Sequence, residues 1–171
     1  YVRVSYEKYL REVAAEGQEN DIQYTQSQIE KIAKRRTRKE VKDGVQTIQY
    51  QINTLATSNG QSPFVSLFMY LEEAGEYEEE MAMIIEEVLS QRLKGIKNEK
   101  GVYVSPAFPK LLYVLDENNI HKDSKYRHLT ELAARCVSRR LMPDFISAKV
   151  MKENVGHVFP PMGCRSFLSP W

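Results

Sequence analysis

The chain has 171 residues, 42% hydrophobic and 27% charged, with a formal net charge of +1. That length suits one domain or one large part of a bigger one, and the composition reads as globular. The near-neutral balance gives no case for nucleic acid, and no apolar run approaches the roughly 18 residues that span a membrane.

No signal peptide is visible, because Tyr1 to Gln18 is charged throughout. The two cysteines, Cys136 in a helical pattern and Cys164 in a loop, do not look like a disulfide framework. A reducing, cytoplasmic setting is therefore expected. Tyr1 is not a start methionine and no polar tail follows Trp171, so the expectation is a piece of a larger protein.

Tyr1–Glu16 reads as a helix end, with Val2, Tyr6, Tyr9, Leu10 and Val13 on one face. Gly17–Asp21 is a polar break, and Ile22–Lys34 is a weakly periodic helix. The basic run Lys34–Lys39 reads as a solvated helix surface, or alternatively as a site for a nucleotide phosphate. Thr37, with Glu40 three residues on, predicts a capping box that opens a helix running to about Ala56. Val41, Val45, Ile48, Ile52 and Leu55 form a narrow heptad seam on it. Such a seam packs either on its own domain or against a partner helix across a dimer.

Ser58–Pro63 is a turn, and Phe64–Leu71 reads as a buried strand with Ser66 its one polar residue. Six glutamates crowd Glu72–Glu80. Carboxylates favour a helix N-terminus, so a helix from about Tyr77 to Lys94 is expected in preference to a metal site. Gly95 closes it, Asn98–Gly101 turns, Val102–Val104 is a short strand, and Leu111–Leu115 is a second buried strand. Strand, helix, strand predicts a right-handed crossover with parallel strands.

His121 and His128 lack a second ligand at metal spacing and read as surface residues, so no metal ligands are assigned. Tyr126–Leu141 is the next helix, with Cys136 a small, inert part of its apolar stripe. Asp144–Ile146 starts another short strand, and Asn154–His157 is a turn.

The chain closes on Pro160-Pro161-Met162-Gly163-Cys164-Arg165-Ser166-Phe167-Leu168. Glycine before Cys164 allows a sharp backbone path and keeps bulk away from the sulfur. Arg165 would favour a thiolate or pair with a carboxylate, and His157 lies seven residues away as a conceivable base. On spacing alone, a structural cysteine and a conventional thiol nucleophile both stay open.

Met162–Leu168 resembles the cysteine finger loop of the oxygen-sensitive, glycyl-radical (class III) ribonucleoside-triphosphate reductases. Thr47–Leu55 followed by Asn59–Phe64, then Phe108–Leu111, then Cys136–Asp144, resemble further segments of that family in the right order. The resemblance covers the chain from about Thr37 onward. It implies an α/β fold: part of a ten-stranded α/β barrel of two antiparallel halves, each with parallel strands, preceded by helices. Residues 1–57 would be a helical, dimer-side segment, and 58–171 a partial barrel ending in the cysteine loop.

The implied reaction is reduction of ribonucleoside triphosphates to deoxyribonucleoside triphosphates. Cys164 would become a thiyl radical that removes the ribose 3′-hydrogen, with Met162 and Ser166 as pocket neighbours binding substrate. The implied cofactor is a glycyl radical on a glycine beyond Trp171, installed by an S-adenosylmethionine iron–sulfur activase. Zinc belongs to the full-length family and not to this segment, since two cysteines cannot make a four-cysteine site. Allosteric nucleoside triphosphates, the activase and a second copy of the chain are the implied partners, and nucleic acid and membrane are not. The alternative is a non-catalytic helical remnant that only dimerises, through Val41, Val45, Ile48, Ile52 and Leu55.

Overall fold

A computed structural model of the chain describes residues 1–55, 60–61 and 63–161. The chain divides into two compact units, Tyr1–Thr47 and Ile48–Trp171.

The first unit is a helix–turn–helix. Helix α1 spans Val2–Glu19, and α2 spans Gln26–Thr54, reaching past the unit's end. Val13 and Ala33 are fully buried. The connection folds back on α1: the Ile22 N–H donates to the Gly17 carbonyl at 2.8 Å. A Cβ on Gly17 would lie 2.9 Å from both the Ile22 carbonyl oxygen and the Tyr24 ring, so only glycine fits without a shift.

The sequence expectation of two helices between Ile22 and Ala56 is corrected here, because α2 is continuous. Its capping box sits at Thr25 and not at Thr37. The Gln28 N–H donates to Thr25 Oγ1 at 3.3 Å, and the Thr25 N–H donates to Gln28 Oε1 at 2.8 Å. Thr37 is only 1% exposed, and its hydroxyl donates to the Ala33 carbonyl at 2.9 Å, one turn back. Glu40 accepts hydrogen bonds from the hydroxyls of Tyr1 and Ser5.

The second unit is built on a three-stranded sheet. Strands β1 (Ser66–Met69), β4 (Lys110–Leu115) and β5 (Asp144–Ser147) lie in the order β1-β4-β5, all parallel. Ser66 pairs in register with Lys110, and Leu112 with Asp144. A smaller antiparallel hairpin joins β2 (Ile96–Lys97) to β3 (Tyr103–Val104) around the Asn98–Gly101 turn. The Asn98 side chain closes that turn by accepting from the Lys100 and Val102 N–H groups.

The parallel order follows from the connections. From β1 the chain passes through a 3-10 helix, Glu72–Tyr77, into α3 (Glu78–Lys94) before reaching β4. From β4 it passes through α4 (Glu117–Ile120) and α5 (Arg127–Arg140) to β5. Connections of that length let each strand restart in the same direction. Both faces of the sheet are covered. Leu111 and Tyr113 pack with Ile85 and Leu89 of α3 and Leu129 and Ala133 of α5. Leu112 and Val114 point the other way, towards Tyr70, Ile146 and Met151. That explains why the central strand reads as an unbroken apolar run.

Two boundaries differ from expectation. The strand expected at Phe64–Leu71 shortens to Ser66–Met69, and Phe64 and Ser66 are exposed. Helix α6 (Ala148–Val155) occupies a stretch for which only the Asn154–His157 turn was expected. Ser147 caps it by accepting from the Val150 N–H at 3.3 Å, and Gly156 ends it in the left-handed region at φ 83°. Among the described residues no helix is long and apolar enough to cross a membrane.

Candidate functional site at the carboxyl end of the parallel sheet

Because β1, β4 and β5 run in parallel, their carboxyl ends share one side of the sheet. In open α/β sheets that side is where ligand sites are built. The residues there are Tyr70 to Glu72 after β1, Asp116 after β4, and Ser147 leading into α6 after β5.

Glu72 is the polar centre. Lys152 Nζ, from α6, donates to both of its carboxylate oxygens at 2.7 Å, and the Tyr70 hydroxyl donates to Oε2 at 2.6 Å. The ammonium and the phenol hold the Glu72 carboxyl below the usual glutamate range. Burial first, then the Glu72 bond, pushes Tyr70 up, and the Glu72 bond pushes Lys152 up.

Asp116 is 6% exposed and caps α4: its Oδ1 accepts from the Asn118 N–H at 2.9 Å. The Asn119 side chain completes a capping box, accepting from the Asp116 N–H and donating to the Val114 carbonyl. Asp116 Oδ2 is buried without a hydrogen-bond partner. Burial, with Glu72 and Glu78 adding, pushes this carboxyl above the usual aspartate value.

From α6 the chain turns at Gly156, and Val158 and Phe159 pack against the Tyr70–Leu112–Met151 side of the core. Pro161 is the last described residue, so the expected site residues Met162, Cys164 and Ser166 lie outside the described residues, as do Ser58, Asn59 and Ser62 of the earlier turn.

The other expected residues can be placed. Cys136 is fully buried on α5, and burial pushes its thiol up, with Arg92 and Arg140 opposing. It is a core residue, as its place in the stripe suggested. His121 pairs with Glu117 at 2.6 Å on the surface, and His128 leans on the Tyr126 ring. Two members of the basic run form ion pairs: Arg36 forks onto both Glu16 oxygens at 2.7 Å, and Lys39 meets Asp43 at 2.8 Å. No group of three His, Cys, Asp or Glu side chains able to hold a metal occurs among the described residues.

Sequence reasoning missed Arg92. It is 2% exposed on α3, and its guanidinium donates to the carbonyls of Pro106 and Pro109. An arginine in a glutamate-rich amphipathic helix reads as surface, and only its place on the same face as Leu89 hinted otherwise. Arg140 acts similarly at the end of α3, donating to the Leu93 and Lys94 carbonyls at 3.0 and 2.7 Å.

The fold and this polar end define a parallel βαβ unit whose last helix precedes Gly163-Cys164 in sequence by eight residues. The family model described as anaerobic ribonucleoside-triphosphate reductase matches residues 2–170, and the chain belongs to that family. It is 36% identical over 174 residues to the anaerobic ribonucleoside-triphosphate reductase of Enterobacteria phage T4, covering all of this chain and 26% of the phage protein. The enzymes of that name from Haemophilus influenzae and Escherichia coli K12 are 33% and 36% identical, again over all of this chain and 22% of theirs. The chain thus spans about a quarter of the length of these curated relatives.

Proposed function

We propose that this chain is the thiol-bearing portion of an anaerobic ribonucleoside-triphosphate reductase. The observation that carries the reading is the Met162–Leu168 sequence at the end of a chain that matches the family throughout. The parallel order of β1, β4 and β5 is what one half of a ten-stranded α/β barrel requires, and it supports that architecture for the complete enzyme.

In this reading Cys164 carries the reacting sulfur, and a glycyl radical on a glycine beyond Trp171 would supply the one-electron oxidation of its Sγ–H. The resulting thiyl sulfur takes the ribose 3′-hydrogen and returns it after the 2′-hydroxyl has left as water. A two-electron reductant from outside the chain balances the reaction. Enclosure keeps the radical from solvent and side reactions, and a rigid mount holds the sulfur near the sugar. By the same resemblance Met162 and Ser166 are assigned to substrate binding. Cys136 takes no part, because its thiol is sealed in the core. Zinc has no ligand set among the described residues, and no step is assigned to it.

The remaining roles are assigned to the assembled enzyme: a second copy of the chain, an S-adenosylmethionine iron–sulfur activase, and allosteric nucleoside triphosphates. The exposed side chains of Ile48 on α2 and of Leu55 just past its end, 52% and 58% accessible, support the dimer. The test is Cys164→Ser in the full-length reductase carrying this sequence, assayed anaerobically after activation. Deoxynucleotide formation falls to background while nucleotide binding persists. Retained turnover would falsify the assignment.

A further inference from the structure

We propose that residues 72–79 form a strap that opens about Gly75 and controls the access of water to Asp116 at the carboxyl end of the sheet. Every group involved lies in the second unit, and Cys164 has no part in it.

The strap is poorly anchored in the core. Leu71 before it is 1% exposed and Ala82 after it 6%, yet no side chain from Glu72 to Glu80 is buried. A segment without buried apolar contacts opens at small cost. Polar side chains tie it down instead. Lys152, on α6, holds both Glu72 oxygens at 2.7 Å. The Asn118 carboxamide donates to Glu78 at 2.7 Å, and Lys125 donates to Glu79 at 2.9 Å. Both ion pairs are roughly half exposed or more, so water and salt weaken them. Gly75 sits in the middle at φ 53° and ψ −120°, a conformation that residues with a side chain avoid. A Cβ there would meet nothing within 4 Å. The glycine is therefore required by the bend of the backbone and not by packing, which suits a hinge.

Asn118 links the strap to Asp116. Its N–H donates to Asp116 Oδ1 at 2.9 Å while its carboxamide holds Glu78. Asp116 Oδ2 is buried and has no hydrogen-bond partner, and the nearby Glu72 and Glu78 charges make its ionised form costlier still. The closed strap thus keeps a carboxyl oxygen dry without compensation, and opening lets water satisfy it. A desolvated oxygen on one side and screened ties on the other leave two arrangements close in free energy. That balance is what a switchable segment requires.

The experiment is hydrogen–deuterium exchange, read by mass spectrometry, on the full-length reductase carrying this sequence. Peptides over residues 70–82, 116–121 and 110–115 report the strap, the Asp116 turn and strand β4. In wild type the first two exchange together, through an opening that leaves β4 protected. Raising salt from about 0.05 M to about 0.5 M speeds both. Lys125→Met and Lys152→Met each speed both by about two- to fivefold, the weight of a partly exposed ion pair. Gly75→Ala speeds both on the order of tenfold, because alanine resists the bend. Asp116→Asn slows both, because the uncompensated charge is gone. Throughout, β4 protection and the unfolding temperature stay at or above wild type. Strap exchange that changes while residues 116–121 stay unmoved overturns the proposal, because the strap would then cover nothing. Lysine variants without effect on either peptide overturn it too. So does faster exchange that spreads equally to β4, which would be global unfolding. The lysine variants decide the matter even where Gly75→Ala does not fold.

Discussion

Asp116 and Glu72 lie at the same end of the sheet, yet their carboxyls are pushed in opposite directions. Burial raises Asp116 above its ordinary 3.8, so the folded chain holds that proton more tightly than the unfolded chain. Its contribution to stability is present below the ordinary value and is lost as pH rises through the folded one. Glu72 is lowered below 4.5 by Lys152 and Tyr70, so its contribution is present above the ordinary value and is lost as pH falls through the folded one. Asp116→Asn should therefore match or exceed wild-type stability at pH 7 in urea unfolding. Asparagine keeps the acceptor that caps α4 and removes a buried charge. Asp116→Ala loses the cap as well, at a cost of ~1 kcal/mol. The advantage of the asparagine variant shrinks as pH drops towards 3.8. A variant less stable than the alanine one at pH 7 would contradict this account.

At the scale of elements, the two threonines of α2 show what a sequence pattern can and cannot specify. Both Thr25-Gln26-Ser27-Gln28 and Thr37-Arg38-Lys39-Glu40 fit the capping-box pattern. Only the first sits where the chain arrives extended from a turn. At the second, helix continues on both sides, so the hydroxyl back-bonds to Ala33, and Glu40 is taken by Tyr1 and Ser5 from the other helix. The deciding information is a contact between residues 35 to 39 apart, which no local pattern contains. Thr25→Ala should cost ~1 kcal/mol and fray the start of α2, measured as faster amide exchange at Gln28 and Ile29. Equal protection in wild type and variant would mean that the box is idle. Strand β4 and helices α3 and α5 were legible because an unbroken apolar run and a broad apolar face each dictate burial directly. Helix α6 was not, because eight residues hold too few turns for periodicity to register. Arg92 was missed for a different reason. Its burial depends on the Pro106 and Pro109 carbonyls, which accept from its guanidinium and sit 14 and 17 residues away.

At the scale of the whole molecule, the heptad seam of α2 divides. Val41 and Ile52 are nearly covered, whereas Ile48 and Leu55 stand open to solvent. The bland reading of the seam, a helix packed on its own domain, accounts for the first pair and leaves the second. If those residues meet a second copy, Ile48→Glu in the full-length reductase should shift sedimentation towards the monomer, with the fold intact by circular dichroism. An unchanged sedimentation coefficient would remove α2 from the dimer contact. Fold class was readable from the alternation of strands and helices. The assignment of Cys164 rests on its immediate sequence neighbours alone, because glycine before cysteine is compatible with several chemistries and Cys164 lies outside the described residues.

The central strand has a consequence for how the chain is made. Its register partners lie far off: Ser66 precedes Lys110 by 44 residues, and Asp144 follows Leu112 by 32. Pairings of such separation form slowly compared with helices. On the ribosome, Leu111 to Val114 emerge after β1 but well before β5 exists. At roughly 5–20 residues per second, one flank of that apolar run waits some seconds for its partner. Until then the strand that ends up most deeply covered is an open hydrogen-bonding edge, and chaperone capture during synthesis should centre on it.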